Sequence, residues 1–600
     1  MKSTAKSGAS EQGDRTDTRE SQSPKRPVFL ALQGGGAKGV VHVGGLLAVE
    51  ALYCDIRGVA GTSAGSIVAA LVAAGYGADD LVNLETRTHI FESFGAKYGY
   101  HRPTDLFTRT GWFILKSVRN CSAAVGKARE QLNVATNRLT SSKICKRLRT
   151  YFPKQIPGVK ARALVYKWFI RLLIALMAYF FITAFPTVTF VLLVMAVVLA
   201  VWIGNGITGV ERVRKLIDKA IADKLTENGY PVSKNVTFAD MDNARCVPLK
   251  IVATNVAYEC LELFCLDRTP NVCVADAVAA SICLPFIFRP WPVSFDRHSA
   301  NAIEFIDGRF LDGGIVSNLP AWPFDEERLL DPSISTIALS IDAGVIDVTK
   351  HWMKGIAGTV VNGSGVIHTR AAGKIVTVPL KTKLGMLAFD VSADDVYDLV
   401  GKTAVDASTH LSTALVEGPA LMREAAKAIQ DWFFRELESA TAEWHRGHPA
   451  LVVRVAIAAE RGAGVNTLSN VFTAGFENSH LDGDATRRAK GWLFDQALKT
   501  GQPSLHIIEN GVPSHALDPG ERIWNEVRWI ACFPLSYVAP QNSRSRNCVV
   551  VVDSNVEIDF NISIAKEQLT LFLDRAFEFV TVYDEEIGLM KTVQGANTWL

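Results

Sequence analysis

Two strand-to-helix junctions, each broken by glycine, constrain this chain more than any other feature of its 600 residues. "PVFLALQ" from Pro27 reads as a buried strand, "GGGAKG" interrupts it, and an apolar-rich helix runs on to about Leu52. The pattern then repeats. "IRGVAG" is a short buried strand, "GTSAG" a turn, and "GSIVAALVAAGY" a helix closing at Gly75. Further strands are expected at "PLKIVATNVA" and "SISTIALSIDA". Strands alternating with helices specify an α/β sandwich with a largely parallel sheet. A glycine turn ahead of a helix also aims backbone N–H groups at an anion, so the function turns on what that anion is.

Three identities compete. A P-loop is excluded, because Gly39 and Val40 follow Lys38 where that motif requires Lys and then Ser or Thr. A dinucleotide fingerprint is matched by Gly34, Gly36 and Gly39, with Asp55 about the expected distance downstream. Asp55 enters the second strand, however, whereas the ribose-binding acid has to leave it. The third identity comes from Gly61-Thr62-Ser63-Ala64-Gly65, a G-x-S-x-G pentapeptide between strand and helix, which is the arrangement of a nucleophile elbow. Gly61 and Gly65 admit the sharp turn, Ser63 Oγ is lifted to a helix N-terminus, and the preceding glycine loop becomes an oxyanion hole. The anion is then the oxygen of a tetrahedral intermediate. A serine nucleophile needs a base. None of the twelve histidines sits in a recognisable motif, and His42 reads as a packed or surface side chain of the first helix. "FLDGGIVSNLP" offers instead a carboxylate, Asp312, on a tight turn formed with Gly313 and Gly314.

These residues, in this order, resemble the three motifs of the patatin-like phospholipases: Gly34-Gly35-Gly36-Ala37-Lys38-Gly39, Gly61-Thr62-Ser63-Ala64-Gly65 and Asp312-Gly313-Gly314. "IVATNVAYECLELF", "VADAVAASICLPFIFRP", "IVSNLP" with Asn318, and "FDVSADDVYDLVGKTAVDA" are similar to further parts of the same domain. The resemblance implies a three-layer α/β/α sandwich with a mostly parallel sheet over residues 27–411. It also implies a Ser63–Asp312 dyad without histidine, and oxyanion donors on the backbone of Gly35, Gly36 and Ala37. Lys38 holds the position usually taken by Arg, and Asp307 in "FIDGRFLDGG" is a decoy outside the pattern. The implied reaction is ester hydrolysis of a membrane phospholipid or lysophospholipid, with no cofactor and no metal.

The resemblance is interrupted by two segments of different texture. From His101 to Arg171 sixteen Lys/Arg stand against two acids, Asp105 and Glu130, and residues 101–163 form a basic region. No nucleic-acid motif accompanies the charge, so an anionic bilayer surface is the expected partner and nucleic acid is not. Between Leu172 and Ile203 no charged residue occurs. That length exceeds one untilted span, and residues 164–207 accommodate a transmembrane hairpin hinged near Pro186, with Lys167 and Arg171 snorkelling. Tyr166, Trp168 and Trp202 stand at the interfaces, and Arg212, Arg214 and Lys215 make the far flank basic as well. Both flanks, and with them the catalytic domain, are expected on the cytoplasmic side of a cell or inner membrane. One active site assembled from Ser63 and Asp312 independently demands an even number of crossings between them.

The ends of the chain are expected to differ from the centre. Residues 1–26 are polar and Ser-rich, read as a disordered tail, and contain no apolar core of a signal peptide. The ten cysteines form no CxxC pair, Cys260 and Cys265 being the closest spaced, and reduced thiols are expected throughout, Cys532 and Cys548 included. A connecting helix over 412–440 leads to an α+β accessory domain over 441–585, followed by a tail over 586–600. The accessory domain is similar to a GAF-type sensor domain, which would imply a homodimer or a small-molecule regulator; an unrelated α/β domain is the alternative. For the whole chain, the competing function is a non-catalytic lipid-sensing scaffold.

Overall fold

The structure, a computed structural model, describes residues 26–117, 119–120, 204–232, 234–299, 302–331, 334–342 and 375–441, with scattered positions between 179 and 195. Towards the C-terminus it describes 451–460, 467–475, 486–488, 497, 500–509, 512–513, 527–538, 545–556, 563–569 and 571.

The first unit follows the expected alternation. In chain order come β1 (Arg26–Leu32), α1 (Val41–Ala51), β2 (Cys54–Thr62) and α2 (Ala64–Ala73). After the long insertion follow α3 (Glu211–Glu227), β3 (Leu249–Asn255), β4 (Cys260–Phe264) and α4 (Val274–Ser281). The unit closes with β5 (Trp291–Ser299), β6 (Ala302–Leu311), β7 (Ser335–Asp342), β8 (Ile375–Lys381) and α5 (Ala393–Ser412). The eight strands form one sheet in the order β8-β7-β1-β2-β3-β6-β5, with β4 also paired to β3. Five strands, β8 to β3, are mutually parallel, and β4, β5 and β6 add an antiparallel margin.

β1 lies inside the parallel run and is apolar on both faces, as a doubly covered strand must be. Val28, Leu30 and Leu32 join the large core formed with the helices. Phe29 and Ala31 face the other way, into two smaller buried clusters. Leu319 and Ala321 lie against Ala31, and Phe324 stacks on Phe29 at 4.4 Å between ring centroids. The fold is therefore mixed α/β, with described residues covering both faces of its sheet.

Beyond α5 a π-helical turn, Thr413–Glu417, leads into α6 (Gly418–Thr441). A second sheet follows, built from β9 (Val453–Glu460), β10 (Thr467–Ala474), β11 (Thr486–Arg488), β12 (Ser504–Glu509), β13 (Val512–Pro513), β14 (Trp529–Val538) and β15 (Ser545–Ser554). Every pairing in it is antiparallel, in the order β11-β10-β9-β15-β14-β12-β13. Ile429, Phe433 and Leu437 of α6 fill its core with Val455, Trp529, Phe533 and Val550, so this helix is part of the second unit as well as its link to the first.

Among the described residues no helix is long and apolar enough to cross a membrane. Most of the expected hairpin over 164–207 lies outside the described residues, as do residues 1–25 and 572–600.

Candidate active site

Because β1 and β2 are parallel and register Leu32 against Gly61, the turns that follow them open at the same edge of the sheet. After β1, Gly36 takes φ +58, a conformation glycine adopts without strain, and starts a 3₁₀ turn over Gly36–Val40. After β2, Ser63 takes φ 52 and ψ −128, which is costly for any residue with a Cβ. Its surroundings hold it there. The Ser63 amide donates to Ser281 Oγ at 2.8 Å, and the Ser63 carbonyl accepts from the amide and hydroxyl of Ser66 at 2.9 and 2.6 Å. A Cβ on Gly65 would lie 2.3 Å from the Leu32 carbonyl oxygen, so the elbow seats its backbone directly on the end of β1.

Asp312 follows β6 and is fixed by three hydrogen bonds to its own backbone and side chain. Its amide donates to the Cys283 carbonyl at 2.8 Å, and its carbonyl accepts from Thr254 Oγ1 at 2.9 Å. The Gly314 amide donates to Oδ1 at 2.7 Å. The other carboxylate oxygen, Oδ2, accepts from Ser63 Oγ at 2.6 Å, joining residues 249 positions apart. Both side chains are buried, Ser63 at 4% and Asp312 at 3% exposure. Burial pushes the Asp312 carboxyl up to about 6, while the Ser63 and Gly314 hydrogen bonds pull the other way. A buried carboxylate of that basicity, bonded to a hydroxyl, can take the hydroxyl's proton near neutral pH.

His42 is excluded as the base by geometry. Its Nε2 lies 2.7 Å from the Gln33 carbonyl oxygen, and burial lowers its pKa to about 4. Neutral and buried, it braces the residue before the glycine loop. Asp55 pairs with Arg57 at 2.7 Å and registers with Pro27, at the opposite end of β2 from the glycines. That placement removes the dinucleotide reading. Asp307 accepts from Ser294 across the β5–β6 hairpin, away from Ser63. Among the described residues no cluster of His, Cys, Asp and Glu could hold a metal ion, and the described cysteines are free thiols.

The glycine loop departs from expectation at one position. The Gly34 amide donates to the Asn318 carbonyl at 3.0 Å, which ties the loop to the segment after Asp312. The Ala37 amide donates to the Met386 carbonyl at 2.8 Å. Of the three expected oxyanion donors, Ala37 is therefore engaged in this conformation, because the segment after β8 lies across the turn.

Residues 30–150 and 161–325 match the family model described as patatin-like phospholipase. The region over residues 30–325 belongs to the patatin-like phospholipase family. Patatin-like phospholipases are lipid acyl hydrolases, and by reaction class the chain is a carboxylic ester hydrolase. Comparison with curated proteins gives no match. Among solved structures, VipD from Legionella pneumophila is similar at 14% identity and a TM-score of 0.25, over 70% of this chain and 78% of that one. A chain of the complex of SpcU with ExoU from Pseudomonas aeruginosa is similar at 19% identity and a TM-score of 0.25, over 70% and 59%. The GAF domain of a two-component sensor histidine kinase from Bacillus halodurans is similar at 12% identity and a TM-score of 0.16, over 28% and 96%.

Two contributors to the patatin-like site had no separate signal in the sequence. Ser281 receives the Ser63 amide and donates to the Val252 carbonyl at 2.7 Å, bridging the elbow to β3. It lies within "VADAVAASICLPFIFRP", yet nothing about a serine near a helix end marks it as a brace. The other contributor is a cavity of about 820 Å³ beside the glycine turn. Gly36, Ala37 and Ala64 reach it, and apolar side chains including Val43, Ile67 and Leu71 line it.

Proposed function

We propose that the chain is a membrane-anchored serine lipid acyl hydrolase acting on phospholipids or lysophospholipids. The observation that carries this reading is the buried 2.6 Å hydrogen bond from Ser63 Oγ to Asp312 Oδ2 beside a glycine loop. Ser63 Oγ attacks the ester carbonyl as its proton passes to Asp312. The backbone amides of Gly35 and Gly36 receive the developing oxyanion, a type of contact that contributes about 3 kcal/mol per donor in serine hydrolases. Collapse of the intermediate expels the alcohol, which takes the proton from Asp312. Water activated by the same carboxylate then hydrolyses the acyl-enzyme. Lys38, on the turn beside these amides, is placed to favour an anionic substrate.

The apolar cavity at the glycine turn suits an acyl chain in volume and lining. Membrane anchoring is supported by the uncharged run from Leu172 to Ile203 and by the basic stretch before it. Within that run Tyr179, Phe190 and Met195 are each more than 60% exposed, which is costly in water and favourable in lipid. The domain around the dyad would stand on the cytoplasmic side of a cell or inner membrane, and the C-terminal unit is where homodimerisation or a small-molecule regulator would act.

The test is ester hydrolysis of phospholipid by detergent-solubilised full-length protein. Ser63→Ala and Asp312→Asn are each expected to lose roughly 10³-fold or more in kcat/KM. Wild-type turnover in either variant would remove the dyad from the mechanism.

A further inference from the structure

Between β8 and α5 the chain passes over the glycine turn as a strap, Thr382–Ser392. Its Met386 carbonyl accepts from the Ala37 amide at 2.8 Å, and a Cβ on Gly36 would lie 2.5 Å from that same oxygen. A carbonyl oxygen thus sits on the glycine loop where a donor to a tetrahedral intermediate is needed. Leu384, Ala388 and Phe389 of the strap also wall the 820 Å³ cavity, and Phe389 packs on Phe107 at 5.0 Å. Both members of the dyad are buried nearby. Ala37 becomes a donor to a substrate oxygen only when the strap moves off its amide.

Among the described residues an ion pair also fastens the strap. Arg119 Nη1 and Nη2 donate to the two oxygens of Asp390 at 2.6 and 2.7 Å, and Nη1 reaches the Leu387 carbonyl at 3.3 Å. Both side chains are about 30% exposed, so the pair is accessible and open to competition from other ions. Arg119 lies in the stretch whose excess of Lys and Arg faces almost no acid. A phosphate offers a guanidinium the same two-oxygen fork as a carboxylate.

We propose that the strap Thr382–Ser392 is an autoinhibitory closure, latched by Arg119 on Asp390 and released when an anionic lipid surface takes Arg119. The closure keeps the hydrolase silent away from its substrate and frees the third oxyanion donor at the bilayer. It rests on the hydrolase reading above only for its consequence; the closure itself is a backbone contact that can be measured without turnover.

The experiment is hydrogen exchange at the Ala37 amide of the full-length chain, in vesicles of phosphatidylcholine alone or of phosphatidylcholine with phosphatidylglycerol. The amide is expected to be protected in neutral vesicles, and to exchange roughly fivefold faster or more in anionic ones. Asp390→Asn and Arg119→Gln should each show the faster exchange in neutral vesicles, with protection elsewhere in β1 and β2 unchanged. Hydrolysis of a dispersed short-chain ester should rise severalfold in both variants and lose its stimulation by anionic lipid. Equal exchange at Ala37 in both lipids, or in both variants and wild type, overturns the proposal. Exchange that shifts as stated without any Ser63-dependent hydrolysis leaves the closure standing and removes the dyad; the converse removes the closure and leaves the dyad.

Discussion

Ser63 is held in a backbone conformation that most residues avoid, and the bonds that hold it there connect β2, α2 and α4. The strain and the pentapeptide around it were legible in sequence, since G-x-S-x-G between a strand and a helix has a geometric purpose. Asp312 was legible as a carboxylate on a tight turn, and its role as partner came through the resemblance. The engagement of Ala37 was not legible, because its acceptor is a backbone carbonyl 349 positions away, contributed by a segment with no motif. The pKa of Asp312 gives a prediction at this scale. Raised from 3.8 to about 6 by burial, the carboxyl binds its proton more tightly folded than unfolded. Its stabilising contribution is therefore complete below the unfolded value and lost as pH rises through 6, by about 3 kcal/mol. Function runs the opposite way, because the base must be ionised. The ascending limb of kcat/KM against pH is expected near pH 6 and not near 4; a profile flat from pH 5 to 8 would exclude Asp312 as the titrating base.

Strands and helices were the most readable elements. The expected strands at "PLKIVATNVA" and "SISTIALSIDA" are β3 and β7. Buried apolar runs bounded by polar turns announce themselves whichever sheet they join. What they do not announce is coverage: the segment that brings Phe324 onto Phe29 has no periodic signature. The strap is silent for the same reason. It is short, irregular and held by contacts at long range. α6 shows a further limit: a connecting helix over 412–440 was legible, but not which core it served. Phe433, 1% exposed, packs against Trp529 and Phe533 of the second sheet. Phe433→Ala is expected to destabilise the C-terminal unit by about 3–5 kcal/mol. Denaturant unfolding followed by Trp529 fluorescence measures this, and a change below 1 kcal/mol would place α6 outside that core.

For the molecule as a whole, the dyad constrains the insertion. Arg119 on the near side is bound to Asp390, and on the far side the Ile207 and Thr208 amides both donate to the Ile287 carbonyl at 3.0 Å. Both ends of this segment thus return to the body that carries Ser63 and Asp312, so the proposed membrane anchor requires an even number of crossings between them. Single cysteines at positions 119 and 204, on a background in which the native cysteines are replaced by serine or alanine, are expected to react with an impermeant maleimide from the cytoplasmic side only. Opposite labelling of the two would break this topology.

The central claim is that Ser63 is a nucleophile because Asp312 takes its proton. Covalent labelling by a fluorophosphonate, in anionic vesicles and mapped by peptide mass spectrometry, tests this most directly. The phosphonyl adduct is expected on Ser63 in wild type and to form at least about 100-fold more slowly in Asp312→Asn. An unmodified Ser63 in wild type, or equal labelling in the variant, would contradict the account.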